Sequence, residues 1–260
     1  MQKEIRVFAL VLLAFIAYTL LMRHYFSAIY YYLIESIPYE IVAYGLAYFI
    51  VGLPAFVAVF IMHKKHFFAS LGFNQSILKG IVIAFFFTLP MAIGYALFYT
   101  FNHGISLGTI VQGAVYAAFF EELYFRAFFF GMLFRYTRFG FIPSLLLGAI
   151  VFGLLHLNQS NDPATMFGIF TVTFFGSAWF SWVYAEWKFN IWLPVSLHML
   201  MNLYWMLFNV GDSALGSVLP NVFRVLTIAL IIVFTIYYKR RMKLGLTVNG
   251  NNIWLKPREG

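Results

Sequence analysis

The side chains best suited to chemistry are two adjacent glutamates, Glu121 and Glu122, inside the apolar stretch 111–136. The chain has only nine acidic residues. A charge at bilayer depth costs roughly 2.5–3.5 kcal/mol on insertion scales, so such groups usually face a protein interior and have a function. Arg126 follows Glu122 by four residues and can pair with it on one helix face. Glu121 is turned from Glu122 by about 100° and is predicted to be a general base; a structural ion pair between helices is the alternative.

Three further polar side chains lie within apolar runs. His156 stands near the end of one run, where imidazole is either a proton carrier or metal ligand, or only an interfacial side chain. His198 and Asn202 are four residues apart, so imidazole and carboxamide share one helix face. Together they can donate two hydrogen bonds to one point, as an oxyanion hole requires. A polar patch that joins two helices is the alternative.

The composition is that of an integral membrane protein. Of the 260 residues, 63% are hydrophobic, 22% aromatic and 10% charged, whereas about 25% of the residues in soluble domains are charged. There is no cysteine, which excludes disulfides, thiolate metal sites and a cysteine nucleophile. The formal charge of +8 does not indicate nucleic-acid binding, because the basic residues follow membrane topology and form no stripe with interleaved aromatic residues.

The apolar runs predict an all-α, polytopic membrane bundle, since a spanning helix needs about 20 mostly apolar residues. We predict about eight spans, at approximately 6–22, 40–62, 80–101, 109–134, 141–157, 163–184, 191–209 and 219–238. They form a single transmembrane domain over 1–243, whose motif-bearing core is about 108–209. Residues 244–260 mix Gly, Asn, Pro and charged residues and are predicted to be a loosely ordered cytoplasmic tail.

The positions of lysine and arginine predict the orientation of these spans. Fourteen of the 17 basic residues fall in segments that alternate to one side of the predicted bundle, which places both termini in the cytoplasm. Arg23 is predicted to lie in a loop on the outside. Arg224 lies within the last span and is predicted to extend toward the outer surface.

Three motifs, taken in order, resemble the CAAX prenyl protease and bacteriocin-processing family. This family is also called CPBP or Abi and includes the type II prenyl-protein endopeptidases. The motifs are EExxxR (Glu121, Glu122, Arg126), FxxxH (Phe152, His156) and HxxxN (His198, Asn202). Each motif is unspecific by itself, but their order, with each in a hydrophobic span, makes the resemblance specific over about 108–209.

The resemblance implies an intramembrane endopeptidase with a catalytic role for each motif. Glu121 would activate a water molecule and His156 would help to hold it, while Glu122 and Arg126 would orient the first carboxylate and tune its protonation.

The third motif, His198 and Asn202, would stabilise the oxyanion that forms when water attacks the scissile carbonyl. The substrate would be a prenylated CAAX protein, a leader peptide or a signalling peptide. The location would be a bacterial cytoplasmic membrane.

The resemblance leaves the role of a metal open, because the family has been described both as metalloproteases and as glutamate proteases. If zinc is present, its ligands would be Glu121, His156 and His198. A zincin HExxH helix is absent from the sequence. We favour the metal-independent interpretation, because the adjacent carboxylates and Arg126 already provide control of protonation.

Three other functions use the same residues. A non-enzymatic membrane scaffold could regulate a sensor or a secretion system with the same fold. A proton-coupled transporter would use Glu121, Glu122, His156 and His198 as a relay, but the sequence shows no repeat symmetry. Haem binding by the two histidines would give a coloured protein.

Overall fold

The structure, a computed structural model, describes residues 2–257 and confirms the all-α class. No strand occurs among these residues, and one isolated β-bridge joins Phe139 and Leu255. In chain order the α-helices are α1 (Gln2–Ser36), α2 (Glu40–Val51), α3 (Leu53–His63), α4 (Phe67–Ser70), α5 (Ile77–Phe98), α6 (Leu107–Ile110), α7 (Ala117–Glu121), α8 (Gly131–Tyr136), α9 (Phe141–Leu155), α10 (Pro163–Glu186), α11 (Trp192–Leu207) and α12 (Val218–Arg241). Short 3₁₀ helices cover Lys64–His66, Leu157–Gln159 and Gly250–Asn252.

The helix that carries the two glutamates is continuous over 107–136 but changes its winding four times. It runs from α6 into a π-helical segment, Val111–Tyr116, then α7, then a second π-helical segment, Glu122–Phe130, and ends as α8. We call residues 107–136 the motif helix. Single π-helical turns are rare and are found frequently at functional sites.

Five helices of the described chain are long and apolar enough to cross a membrane, or six if the bent pair Glu40–Val51 and Leu53–Ser70 counts as one span. The chain is therefore an integral membrane protein. Fewer than the eight predicted spans meet this criterion of length and hydropathy. Helix α11 has only 16 residues, and each α or π segment of the motif helix has nine or fewer. Eight spans and cytoplasmic termini stay predictions.

The first helix is longer than predicted. It runs over Gln2–Ser36, so Arg23 lies within a helix and not in a loop. No glycine or proline interrupts the sequence between Arg23 and Pro38, so nothing ends the helix earlier. Its 35 residues extend roughly 50 Å, more than the hydrocarbon thickness of about 30 Å.

The second predicted span is bent by 52° between α2 and α3. The bend is at Gly52, and Pro54 follows at the start of α3, where its missing N–H is not needed. Gly52 is required for space. A Cβ atom at this position would lie 1.8 Å from the hydroxyl oxygen of Tyr124, which donates a hydrogen bond to the carbonyl of Tyr48 at 3.0 Å.

The motif helix lies in the middle of the bundle. It contacts α1, α2 and α3 on one side, α9 and α10 on another, and α11 on a third. Helices α5 and α12 form an outer group, in which α5 packs on both α11 and α12. Every residue from Glu122 to Phe134 is buried, so this part of the motif helix forms the packed centre of the molecule.

The connectors gather at two ends of the bundle. At one end Arg135 donates to the carbonyl of Ser70 at 2.6 Å and Asn190 donates to the carbonyl of Ser76 at 3.1 Å. We call this the basic end, because the described lysines and arginines that the sequence assigns to the cytoplasm lie at or near it.

The other end, which we call the non-basic end, consists of the connectors 99–106, 156–162 and 208–217. The N–H of Asn102 donates to Leu207 at 2.7 Å, and the N–H of Ala214 donates to the side chain of Gln159 at 2.7 Å. Asp162 caps α10 here, as the sequence predicts, by accepting the N–H of Thr165 at 2.8 Å. A second bond, from the Thr165 hydroxyl, and this backbone bond together lower the pKa of the exposed Asp162 carboxyl below its ordinary value.

The C-terminal segment 244–257 is ordered against the basic end, which differs from the loose tail that its composition suggests. Glu186, the last residue of α10, is buried and pairs with Lys239. It also accepts the backbone N–H groups of Thr247 and Val248, each at 2.9 Å. A buried carboxylate with several donors therefore holds the segment, and composition does not reveal such a partner. Arg258, Glu259 and Gly260 lie outside the described residues.

Candidate active site

The two adjacent glutamates have different environments. Glu122 is fully buried, and its Oε1 lies 3.2 Å from Nη1 of Arg126. The ion pair predicted from the i, i+4 spacing is therefore present. The Glu121 side chain is 21% exposed and lines a cavity. Its Oε2 is itself buried and makes no hydrogen bond within residues 2–257.

His198 joins the two carboxylates. Its Nδ1 lies 2.8 Å from Oε1 of Glu122, and its Nε2 lies 3.8 Å from Oε2 of Glu121. Because a carboxylate only accepts hydrogen bonds, Nδ1 carries the ring proton and donates a hydrogen bond to Glu122. The imidazole is also stacked on Phe180, with ring centres 5.2 Å apart. Glu122 thus fixes the ring so that Nε2 lies beside Glu121.

The guanidinium of Arg126 is held by charge and by aromatic rings. Its carbon lies 4.4 Å from the ring centre of Phe152 and 5.4 Å from that of Phe180. Its nitrogens make no hydrogen bond among the described residues. The pair with Glu122 and the two ring faces therefore compensate the buried cation.

The short length of α11 brings His198 level with the glutamates. The connector before this helix enters the bundle, since Asn190 is 5% exposed and Ile191 fully buried. Asn190 accepts the N–H of Trp192, the first residue of the helix, through its side chain at 3.0 Å, while the N-cap residue is Ile191. Lys188 and Phe189 adopt positive φ values of 58° and 56°, which turn the chain inward. This inward connector starts α11 inside the bundle, so His198 reaches within 3.8 Å of Glu121.

His156 ends α9 and lines the same cavity as Glu121. Its Nδ1 lies 2.7 Å from the carbonyl oxygen of Phe152. A carbonyl only accepts, so Nδ1 carries a proton and Nε2 of the neutral ring keeps a lone pair. Nε2 makes no hydrogen bond with another described residue, so it can accept one from a water molecule in the cavity.

Asn202 lies one helical turn after His198 and also lines the cavity. Its side-chain amide donates one hydrogen bond to the carbonyl of Gly113 at 3.1 Å, within the first π-helical segment. This bond fixes the carboxamide and leaves its second amide hydrogen available. A Cβ atom at Gly113 would lie 2.9 Å from the terminal methyl of Met206, the end of a flexible side chain.

The cavity has a volume of about 670 Å³ and brings together the parts of the site. Glu121, His156, His198 and Asn202 all contribute to its wall, and most of its surface comes from apolar side chains of α10, α11 and α12. Glu122 and Arg126 do not line the cavity. They contact wall residues: Glu122 bonds to His198, and Arg126 packs on the rings of Phe152 and Phe180. A volume of this size is in the range of ligand-binding pockets.

Two residues of this region were not assigned to the site from the sequence. Phe180 stacks on His198 and faces Arg126, but among 33 phenylalanines nothing marks it in advance. Arg224 was predicted to extend toward the outer surface. It donates to the carbonyl of Ala214 at 2.8 Å in the connector at the non-basic end, lies 4.4 Å from the ring centre of Trp205 and also lines the cavity.

The described residues do not fit a three-ligand zinc site. No group of three His, Asp or Glu side chains within 2–257 comes together closely enough to hold a metal ion. Nδ1 of His198 is directed at Glu122, and Nδ1 of His156 at a backbone carbonyl, which leaves Nε2 as the available nitrogen of each ring. Among the described residues Glu121, His156 and His198 do not form a three-ligand group, and the chemistry below uses the protein's own groups.

Comparison with known families agrees with the motif order. The family model described as type II CAAX prenyl endopeptidase Rce1-like matches residues 103–204, which is less than half of the chain but contains every motif residue. No curated protein and no solved structure matches the chain. The predicted family resemblance is thus confirmed: over residues 103–204 the chain is similar to the type II CAAX prenyl endopeptidase Rce1-like family.

Proposed function

We propose that this protein is an intramembrane endopeptidase in which Glu121 activates the water molecule that attacks a peptide carbonyl. One observation carries the proposal: the buried Oε2 of Glu121 has no hydrogen-bond partner among the described residues and faces His198 in the cavity wall. Buried polar atoms normally have a partner. A water molecule bound there would supply it and would lie beside a base.

The reaction proceeds by addition and elimination. Glu121 takes a proton from water while the water oxygen bonds to the carbonyl carbon, and the carbonyl oxygen becomes an oxyanion. The C–N bond then breaks, and the proton held by Glu121 passes to the leaving amine. No side-chain nucleophile is required, in agreement with the absence of cysteine. His156, with a lone pair on Nε2, would accept a hydrogen bond from the attacking water.

The remaining motif residues position the base and stabilise the oxyanion. Glu122 and Arg126 act as positioning residues, because they hold the imidazole of His198 through a 2.8 Å contact. Asn202 has one amide hydrogen left for the oxyanion, and His198 donates a second hydrogen bond when Nε2 carries a proton. Loss of one such donor typically reduces kcat by roughly 10²–10³-fold.

The proposal includes an arrangement in the membrane. We infer eight spans, with the motif helix and α11 counted as spans because they lie in the centre of a bundle of longer apolar helices. Residues 1–243 would form the transmembrane domain and 244–260 a cytoplasmic tail, with both termini in the cytoplasm. The location would be a bacterial cytoplasmic membrane. The substrate would be a CAAX-type prenyl protein, a leader peptide or a signalling peptide.

The test is cleavage of a panel of quenched fluorogenic peptides by the purified protein. We expect Glu121→Gln to reduce kcat by about 10²–10⁴-fold, the usual contribution of a general base, without changing the thermal unfolding temperature. Glu35→Gln is the matched control, because Glu35 is an exposed glutamate of α1. It should cleave like the wild type.

Three outcomes would contradict the proposal. Equal cleavage by wild type and Glu121→Gln would remove Glu121 from the mechanism. No cleavage of any peptide by the wild type, together with an unchanged cellular phenotype in Glu121→Gln, would favour the scaffold function. Loss of activity with a chelator, restored by zinc, would favour a metalloprotease.

A further inference from the structure

The catalytic cavity lies on one side of the Glu121–Glu122 pair. Its wall uses the last residues of α9, the middle of α10, the second half of α11 and the first half of α12. The parts of α9, α11 and α12 are those nearer to the non-basic end. Beyond the helix ends it is lined by Gln159 and by the connector segment 211–214. Gln159, Gly211 and Asp212 are exposed, so the cavity reaches the surface at the non-basic end.

The opposite direction is closed. Between Glu121 and the basic end, every residue from Glu122 to Phe134 is buried. The rings of Phe130, Phe134 and Phe141 pack against one another there, with centres 5.3–6.3 Å apart. A second cavity at the basic end, lined by residues such as Lys3 and Arg138, shares no wall residue with the catalytic cavity. A peptide at the basic end would meet a packed core.

The spacing between α10 and α12 also indicates that the cavity opens toward the non-basic end. Near the basic end these helices touch: Trp187 donates to the hydroxyl of Thr235 at 3.0 Å, and its ring centre lies 5.2 Å from that of Tyr238. Toward the non-basic end the cavity lies between them, with Gly176 on one wall and Val225 on the other. A Cβ atom at Gly176 would meet nothing within 4 Å. The two helices are thus in contact near the basic end and separated where the cavity lies, with Phe175 and Val225 exposed at the sides of this gap.

The distribution of charge assigns these ends to sides of the membrane. The basic end carries most of the lysines and arginines, whereas Glu35, Glu40, Asp162 and Asp212 occur toward the non-basic end. By the positive-inside rule the basic end faces the cytoplasm.

We propose that the substrate reaches Glu121 from the non-cytoplasmic side of the membrane, so that the scissile segment belongs to a peptide exposed on or exported to that side. This inference rests on the proposed peptidase function. Among the three substrate classes considered above it favours a leader or signalling peptide that has crossed the membrane, rather than a C-terminus presented from the cytoplasm.

The absence of cysteine from the chain makes a direct test simple. Ser213→Cys places one thiol in the cavity wall at the non-basic end, where the serine hydroxyl makes no hydrogen bond with a described residue. Lys65→Cys places one thiol on an exposed position at the basic end and is the matched control. Each variant is treated with a bulky membrane-impermeant maleimide, once on spheroplasts and once on inside-out vesicles.

We expect Ser213→Cys to react only on spheroplasts and Lys65→Cys only on inside-out vesicles. After labelling, the rate at which Ser213→Cys cleaves a panel peptide should fall at least tenfold, while labelled Lys65→Cys should keep its activity. Reaction of Ser213→Cys from the cytoplasmic side alone would overturn the inference. The labelling pattern does not need turnover, so it tests sidedness even if the peptide panel contradicts the peptidase function.

A second inference rests on a different observation, the unpaired cation in the cavity. Arg224 is half-buried in the cavity wall, and no carboxylate of the described residues lies within 4.0 Å of its guanidinium nitrogens. Trp205 and the carbonyl of Ala214 hold the group in place. Asp212 also lines the cavity but forms no ion pair with it. A fixed guanidinium with unused N–H groups is a binding site for a carboxylate.

The geometry points to Arg224 as a specificity-determining residue that binds a carboxylate of the substrate, either the C-terminal carboxylate or an acidic side chain. The probes are matched peptides that the wild type cleaves, with a C-terminal acid or amide and with Asp or Asn near the scissile bond. Arg224→Gln should raise KM about tenfold for the carboxylate that is bound and leave its uncharged partner unchanged, while Arg224→Lys should keep part of the preference.

Comparison within each peptide pair separates recognition from structural damage. A loosened connector around Ala214 would raise KM for acid and amide alike, and for Asp and Asn alike, and this result would overturn the assignment. A preference for the C-terminal acid and a preference for Asp identify the two sources of the carboxylate.

Discussion

At the scale of residues, the site depends on giving two neighbouring carboxylates different environments. Glu122 is enclosed by Arg126 and His198, so its charge is compensated. Glu121, one residue earlier, faces the cavity with an oxygen that has no hydrogen-bond partner among the described residues. The division follows from helix geometry, because adjacent side chains point in different directions around the axis. One carboxylate can thus serve structure while the other serves chemistry.

This division predicts the effect of removing Arg126. Arg126→Met leaves Glu122 buried without its cation, so the free energy of unfolding should fall by about 3–5 kcal/mol, as for other broken buried pairs. The double variant Glu122→Gln with Arg126→Met removes both charges and should regain most of the stability but not the activity, because His198 loses its orienting partner. The measurements are thermal unfolding in detergent and peptide cleavage.

The control for this comparison is Arg23→Met, since Arg23 is an exposed arginine of α1. It should be neutral in both measurements. If the single and double variants were equally unstable, the pair would not be the reason for the loss.

At the scale of elements, local breaks in helices place the functional groups. The first π-helical segment presents the Gly113 carbonyl to Asn202, and the inward connector before α11 raises His198 to the level of Glu121. The bend at Gly52 allows the hydroxyl of Tyr124 to approach α2 and bond to it. The π-helical segment, the connector and the bend each depart from regular helix geometry. Each departure allows a contact between two helices that a regular helix would not make at that position.

The bend provides a prediction at this scale. In Gly52→Ala the added Cβ would lie 1.8 Å from the hydroxyl oxygen and 2.2 Å from the ring carbon that bears it in Tyr124. The ring is fully buried and cannot move freely. We expect the free energy of unfolding to fall by about 1–3 kcal/mol or more, the usual cost of overpacking.

The measurement for this variant is thermal unfolding, with Gly176→Ala as control. Gly176 is also a helical glycine, but its Cβ would meet nothing within 4 Å. Alanine favours a helix more than glycine does, so the control should be neutral or slightly stabilising. Equal effects at both positions would show that backbone flexibility, and not space, matters at Gly52.

At the scale of the whole molecule, the two ends of the bundle have different tasks. The non-basic end opens the catalytic cavity through the connectors around Gln159 and Ser213. The basic end is closed by packing and by the C-terminal segment, whose backbone donates to Glu186 and to the carbonyl of Arg138. The Gly140 N–H in turn donates to Trp254 at 2.8 Å.

Glu186 is therefore predicted to hold the C-terminal segment. In Glu186→Gln the buried Lys239 loses its anionic partner, and the N–H groups of Thr247 and Val248 lose a charged acceptor. We expect protease cleavage within 244–257 to become at least tenfold faster, while cleavage of panel peptides by the site near Glu121 is retained. The measurement is limited proteolysis followed by mass spectrometry.

The control is again Glu35→Gln, an exposed glutamate at the far end of α1. Its segment 244–257 should be cut at the wild-type rate. Unchanged proteolysis in Glu186→Gln would mean that the contacts of Gly140 and Arg138 suffice to hold the segment.

Much of this protein follows from the sequence because a membrane restricts what apolar runs can do. Lipid offers no hydrogen-bond partners to the backbone, so the apolar runs had to be helices and the all-α class was predictable. The few polar residues within those runs stood out for the same reason. The motifs at Glu121, His156 and His198 could thus be recognised, and with them the resemblance to the family.

Tertiary structure alone decided which groups meet. The depth of His198, the partner of Asn202 in Gly113, the ring of Phe180 beside Arg126 and the position of Arg224 in the cavity all depend on contacts between segments far apart in the chain. Hydropathy records only whether a residue prefers lipid or protein to water. It does not record where a helix bends, how deeply a connector enters the bundle or which face of a helix meets a cavity, because these are settled by the packing of all helices together.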